Sequence, residues 1–114
     1  MFKLVEKGLF KTQQLKDGMV SFGKTSIAIS NSLFVSLGIN PEDCDFVEIY
    51  KNEQGHLAFK PTTDRKKGYK LSKSNNYRAI GLSWAKDYAK GQILGEIVDG
   101  MIITKPELAP QTTE

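Results

Sequence analysis

The sequence predicts an α+β domain, mainly β, made of two diverged βαββ copies folded around one shared, barrel-like core. Three observations predict it. Ser26-Ile27-Ala28-Ile29-Ser30 and Ala79-Ile80-Gly81-Leu82-Ser83 superpose without a gap, and both alternate apolar with small residues, the period-two pattern of a half-buried strand. A helix-length segment follows each, closed by glycine at the same interval, Ser30 to Gly38 and Ser83 to Gly91. Each segment leads to a hairpin pattern that ends in Lys-Pro, at Lys60-Pro61 and Lys105-Pro106. In a chain of 114 residues, separate cores of about 45 residues each would be marginal. The copies are therefore expected to share one.

The elements follow in order. Residues 1–24 fit neither copy; Phe2-Lys3-Leu4-Val5-Glu6 and Leu9-Phe10-Lys11 are expected to form an extra hairpin about Lys7-Gly8, or an arm for self-association. The first copy occupies 25–61. Ser30 is suited to cap a helix, because its hydroxyl can accept a free backbone N–H of the first turn. Leu33, Phe34 and Leu37 then face the core. Phe46–Lys51 and 56–60 flank the turn residues Asn52-Glu53-Gln54-Gly55. Residues 62–68 form a basic linker, and the second copy occupies 69–106. Ser83 is its expected cap, Trp84, Ala85 and Tyr88 its core-facing helical residues. Asp99-Gly100 is a strong two-residue turn signal between strands at 93–98 and 101–105. The polar residues 107–114 are expected to be a disordered tail.

The net charge of +3 is mild, but its distribution is not. Between Thr62 and Arg78 the chain carries Arg65, Lys66, Lys67, Lys70, Lys73 and Arg78 against the single acid Asp64, whereas Glu42, Asp43, Asp45, Glu48 and Glu53 precede it. Such asymmetry speaks about partners rather than fold. Cys44, the only cysteine, permits no intrachain disulfide, and a reducing, cytoplasmic compartment is expected. No apolar run approaches the roughly 18–20 residues that span a bilayer, so no membrane partner is expected.

Residues 25–33, then Leu37-Gly38-Ile39-Asn40-Pro41-Glu42-Asp43 and Phe46-Val47-Glu48-Ile49-Tyr50, resemble the AbrB/MazE-type swapped-hairpin pattern: strand, short helix, Leu-Gly-Ile or Leu-Gly-Leu, a Pro-Gly-Asp-like turn (here with Glu42-Asp43), alternating strand, turn and Lys-Pro ending. Lys73-Ser74-Asn75-Asn76-Tyr77-Arg78-Ala79-Ile80 is similar to the loop that leads into the same family's first strand. The resemblance spans 23–106 and implies a barrel of interleaved copies that binds DNA, here with both copies in one chain. It also implies that basic residues of that loop contact DNA, which carries over to Lys73 and Arg78. Lys24 is the matching residue of the first copy.

Double-stranded DNA is thus the expected partner and transcription regulation the expected role, with homo-oligomerisation open. Lys and Arg neutralise phosphates and release condensed counterions. Asn75, Asn76 and Tyr77, flanked by Lys73 and Arg78, suit phosphates or base edges, and Lys70, Arg65, Lys66 and Lys67 extend the basic surface. Two alternatives stand beside this. One is a protein-interaction module, antitoxin-like or a viral scaffold, with no DNA contact. The other is nucleotide binding, because Gly18-Met19-Val20-Ser21-Phe22-Gly23-Lys24-Thr25 satisfies the P-loop pattern, although polar residues precede it and a strand pattern follows. No enzyme, cofactor, metal or small-molecule substrate is expected: His56 is the only histidine, and Cys44 lies among acids that oppose thiolate formation.

Overall fold

Alternating burial marks several of the strands. A computed structural model of the chain describes residues 15–108; the N-terminal hairpin or arm expected before residue 15 and the part of the expected 107–114 tail from 109 onward lie outside the described residues, whereas Glu107 and Leu108, expected in that tail, make backbone contacts with Ala89 and Tyr88. Strand β1 (Met19–Phe22) buries Val20 and Phe22, and β2 (Ser26–Ser30) buries Ile27 and Ile29. Helix α1 (Asn31–Ser36) follows without a break. Ser30 Oγ accepts the backbone N–H of Ser32 at 3.3 Å, the expected cap. Leu33 and Phe34 enter the core, and Gly38 takes φ +78° just past the helix, a left-handed position where a side chain is disfavoured.

A 3₁₀ turn (Pro41–Asp43), capped by Asn40 Oδ1, leads into β3 (Phe46–Lys51), which hairpins into β4 (Leu57–Thr62). Asn52 Oδ1 closes that hairpin by accepting the backbone N–H groups of Gln54 and His56, each at 2.9 Å. Then come β5 (Tyr69–Lys70), β6 (Ser72–Lys73), β7 (Tyr77–Gly81) and a second 3₁₀ turn (Ser83–Asp87). Strands β8 (Gly91–Leu94), β9 (Glu96–Val98) and β10 (Met101–Thr104) end the described fold. Asp99 (φ +52°) and Gly100 (φ +76°) make the tight β9–β10 turn that the Asp-Gly pair predicts.

Two expectations fail here. The second helix is only the 3₁₀ turn: Leu82, not Ser83, is its N-cap residue, with no side-chain bond. The chain beyond Asp87 is drawn away, because Ala89 N–H donates to the Glu107 carbonyl at 2.8 Å and Tyr88 bridges Leu108. Backbone groups committed to an extended neighbour cannot also close helical turns. Ala85 and Tyr88 are nevertheless buried, as expected. Likewise, the single strand expected over 93–98 is split at Gly95 between two sheets. Gly95 N–H donates to the Gly18 carbonyl at 2.9 Å, and the core residue Leu33 leaves no room there for a Cβ.

The strands form two antiparallel sheets, ordered β6-β7-β2-β1-β8 and β5-β3-β4-β10-β9. Their margins are continuous in the chain. β5 and β6 are halves of one stretch that turns at buried Leu71, whose N–H donates to the Asp45 carbonyl at 2.8 Å; β8 and β9 are halves of another, turning at Gly95. One core fills the space between the sheets, with Ile27, Ile80, Phe59 and Ile102 at most 1% exposed. In the first sheet Ile27 lies opposite Ile80, between the pairs Ser26–Gly81 and Ala28–Ala79. In the second Ala58 lies opposite Ile103, between Phe59–Ile102 and Leu57–Thr104. Among the described residues no helix is long and apolar enough to cross a membrane.

A Cβ on Gly95 would meet Leu33 Cδ1 at 2.7 Å, whereas one on Gly81 would meet nothing within 4 Å. Urea denaturation should therefore find Gly95→Ala destabilised by about 1–3 kcal/mol through overpacking, and Gly81→Ala within about 0.5 kcal/mol of the parent.

Candidate nucleic-acid interface

The basic segment owes its shape to local side-chain bonds. Asp64 Oδ1 accepts the backbone N–H groups of Lys66 (2.9 Å) and Lys67 (3.4 Å), and Thr62 Oγ1 accepts that of Asp64 (3.0 Å). Short polar side chains stabilise turns in this way. The turn sends the side chains of Arg65, Lys66 and Lys67 into solvent, and Lys70 on β5 is exposed as well. Among the described residues none of these four forms an ion pair.

The next hairpin turns at Asn75-Asn76, closed by Ser74 N–H on the Tyr77 carbonyl at 3.1 Å. Both asparagines are exposed at its tip, and Tyr77 is half-buried opposite Ser30. Asn31 holds the tip from behind. Its Nδ2 donates to the Asn75 carbonyl at 3.1 Å and its backbone N–H to the Asn76 carbonyl at 3.1 Å. The sequence reading did not single out Asn31; only its place at the start of α1, next to the Asn75-Asn76 turn, discloses the role.

Arg65, Lys70 and Lys73 line one cleft of about 600 Å³ together with Phe46, Leu71, Asp43 and Asp45. The acids reduce its positive charge. Lys73 Nζ lies 2.9 Å from Asp45 Oδ1 and donates to the Glu42 carbonyl at 2.7 Å. The hydrogen bond and charge of Lys73 hold the Asp45 carboxyl below the ordinary carboxylate range, with a smaller contribution from Lys70. Glu42, Asp43 and Asp45, exposed on the turn after α1, are neighbours of cations that follow them in sequence.

Three assignments change. Arg78 is fully buried and cannot offer its guanidinium to a phosphate. Its donors are spent inside: Nε on the Pro41 carbonyl (3.1 Å), Nη1 on the carbonyls of Ser74 (2.7 Å) and Tyr77 (3.1 Å), and Nη2 on Glu42 Oε1 (3.0 Å). It clamps the Asn75-Asn76 hairpin to the turn after α1. Lys24 is exposed but sits in the β1–β2 turn, beside the Ser26–Gly81 end of the central ladder, whereas Asn75-Asn76 adjoins the Ser30–Tyr77 end. It does not join the other cations. Finally, residues 18–25 form β1 and its hairpin turn, and Thr25 leads into a strand. The P-loop pattern needs a loop followed by a helix so that backbone N–H groups converge on phosphate; here those of β1 lie in a sheet.

Burial pushes the Cys44 thiol up, and the negative charge of Asp45 adds to the effect, so the reactive thiolate is disfavoured. Among the described residues no group of three His, Cys, Asp or Glu side chains is arranged to hold a metal. Trp84 and Phe22 pack against the buried Tyr88 ring at centroid distances of 6.1 and 5.5 Å, which makes this cluster core. Comparison with protein-family models, curated proteins and solved structures finds no match.

Arg78→Ala removes the donors to three backbone carbonyls and Glu42; the Pro41 and Tyr77 carbonyls keep the N–H groups of Cys44 and Ser74, and the Ser74 carbonyl loses its guanidinium donor. Because hydrogen bonds to charged groups contribute about 1.5–3 kcal/mol each, chemical denaturation should show a loss of at least about 3 kcal/mol. Arg78→Lys should recover little, since an ammonium cannot span the same fork of acceptors. The pH dependence has a definite sign. The Asp45 carboxyl is depressed in the folded chain below the ordinary aspartate value, so its contribution is complete above that value and is lost as pH falls through the lower, folded pKa. An NMR titration of the Asp45 carboxyl should show the depressed midpoint, and Lys73→Ala should return it to the ordinary range.

Proposed function

We propose that the chain is a duplex-DNA-binding protein, acting in transcription regulation, built as two copies of one unit closed into a single barrel. The pairing pattern supports the two-copy reading. Taking each unit as two strands, a helical turn and two strands, β1–β2 answers to β6–β7 and β3–β4 to β9–β10. β1–β8 answers to β3–β5, and the two remaining ladders, β2–β7 and β4–β10, pair each unit with its own counterpart. Each ladder so assigned has a match under one pseudo-two-fold. The first unit then begins at β1 rather than at residue 25, which moves part of the N-terminal extension into the repeat. Interleaving has a physical reason, since a unit this small buries too little apolar surface alone. The AbrB-like resemblance agrees with such a barrel.

The observation that carries DNA binding is the exposure of Arg65, Lys66, Lys67 and Lys70 without ion-pair partners among the described residues, on the segment leading to the protruding Asn75-Asn76 turn. Flexible cations supply phosphate affinity, and two amide side chains on a tight turn supply groups able to bond phosphates or base edges. Lys73 contributes in competition with Asp45. Arg78 acts by holding the turn in place, and Lys24 is no part of this surface.

A second reading, a protein-interaction module, is favoured by Leu94, Ile97 and Val98, which are 63%, 39% and 44% exposed along one corner. Leu94→Glu with Val98→Glu would then abolish capture of a protein partner while leaving DNA affinity unchanged.

Fluorescence anisotropy with a labelled duplex across a salt series tests the proposal. Binding should be present at low salt and weaken linearly in log–log form. Removing Arg65, Lys66 and Lys67 together should flatten the slope by roughly three, whereas Asp45→Asn should tighten binding by freeing Lys73. Absence of binding at low salt, with the fold intact by circular dichroism, would refute it.

A further inference from the structure

We infer that the cleft at the β5–β6 corner, with the trough adjoining it, is a binding site for a small organic monoanion, a carboxylate carried on a compact apolar body. The site itself does not depend on DNA; its consequence for regulation rests on the DNA-binding reading. Strand pairing builds the charged end. Phe46 lies opposite Thr62 on β4 and opposite Lys70 on β5, and directly paired residues stand on the same face of a sheet. The cleft of about 600 Å³ thus has Phe46 and Leu71 as apolar surface beneath Arg65, Lys70 and Lys73. A second trough, of about 450 Å³, is lined by Ile39, Cys44 and Pro61. Asp43, Thr62 and Thr63 border both, so a charged end adjoins an apolar one. Small-molecule sites occupy about 300–1,000 Å³ and combine apolar walls with a few placed polar groups.

The balance of charge selects the ligand. Lys73 and Asp45 neutralise each other at 2.9 Å. Among the described residues Arg65, Lys70 and Asp43 form no ion pair. Two free cations against one free carboxylate leave a single positive charge to be matched. A monoanion matches it, whereas a multiply charged anion would meet Asp43 uncompensated and a cation would meet Arg65 and Lys70. The guanidinium fork of Arg65 can donate to both oxygens of one carboxylate. The Thr62 hydroxyl is committed, since it accepts the Asp64 N–H at 3.0 Å. That of Thr63, exposed where the two ends meet, is placed to donate as well.

Arg65 and Lys70 are also two of the unpaired cations proposed to contact DNA. A bound monoanion therefore cancels charge that phosphates would otherwise use, and occupancy of the cleft lowers duplex affinity. The site is that of an effector.

Naphthoate serves as the probe, naphthalenemethanol as its uncharged counterpart and acetate as its ringless one. Titrated into the full chain and followed by amide NMR, naphthoate should bind saturably and shift the amides of Cys44, Thr63, Arg65 and Lys70 together. Each counterpart should bind at least about tenfold more weakly. Arg65→Ala should weaken naphthoate by about tenfold and keep the circular dichroism of the parent, because the side chain is exposed. Equal binding of naphthoate and naphthalenemethanol, shifts scattered without saturation, or an unchanged affinity in Arg65→Ala overturns the site. With a labelled duplex bound at low salt, saturating naphthoate should weaken binding several-fold, and acetate at the same ionic strength should not. An unaffected duplex affinity overturns the effector role while the site stands. A parent protein that binds naphthoate but no duplex at low salt overturns the DNA-binding reading, and the effector role with it, but not the site.

Discussion

The ladder between β2 and β7 is the constraint on which the rest of the molecule depends. It joins residues 53 positions apart, Ile27 to Ile80, and buries both isoleucines against the opposite sheet. A strand in the middle of a sheet must satisfy backbone donors and acceptors on both sides. β2 therefore needs β7 on one side and β1 on the other, and neither half of the chain completes a sheet without the other. β4–β10 repeats the arrangement in the second sheet. The two corner stretches, turning at Leu71 and Gly95, then tie the sheets together at both margins, so unpaired edge backbone is kept short.

Arg78 shows how strongly this framework shapes the site. A guanidinium is rarely taken fully out of water unless its donors find partners, and here three main-chain carbonyls and Glu42 supply them. The acidic turn after α1 is thereby fastened beside the second hairpin, which also brings Asp45 to Lys73. The same bonds that order the Asn75-Asn76 tip hence place acids next to the cations. The cleft is consequently of mixed charge, and the cations of the basic segment left without ion pairs among the described residues are Arg65 and Lys70, which line it, with Lys66 and Lys67.

Periodicity and turn chemistry were legible before any coordinates. The strand at 26–30, the Ser30 cap, the Gly38 stop, the strand at Phe46–Lys51 and the Asp99-Gly100 turn all follow from local rules, and the structure contains each, whereas the strand expected at 79–83 runs two residues earlier, over Tyr77–Gly81. Local patterns could not foresee the shortened second helix, because Ala89 gives its N–H to Glu107, a partner far along the chain. Nor could they foresee the break at Gly95, which exists because a strand must leave one sheet for the other beside Leu33.

The candidate site divides in the same way. The sequence by itself determined that the chain is mainly β, with charge concentrated in an acidic stretch and then a basic one, because strand alternation, caps and charge runs are properties of neighbouring residues. Only the tertiary structure decided which of those charges face water. Arg78, Lys73 and Lys24 look alike in the chain, yet one is buried, one is paired and one stands at the far end of a ladder. The difference arises because burial and pairing depend on which distant backbone carbonyls and carboxylates the fold brings alongside each cation, and no local pattern records that.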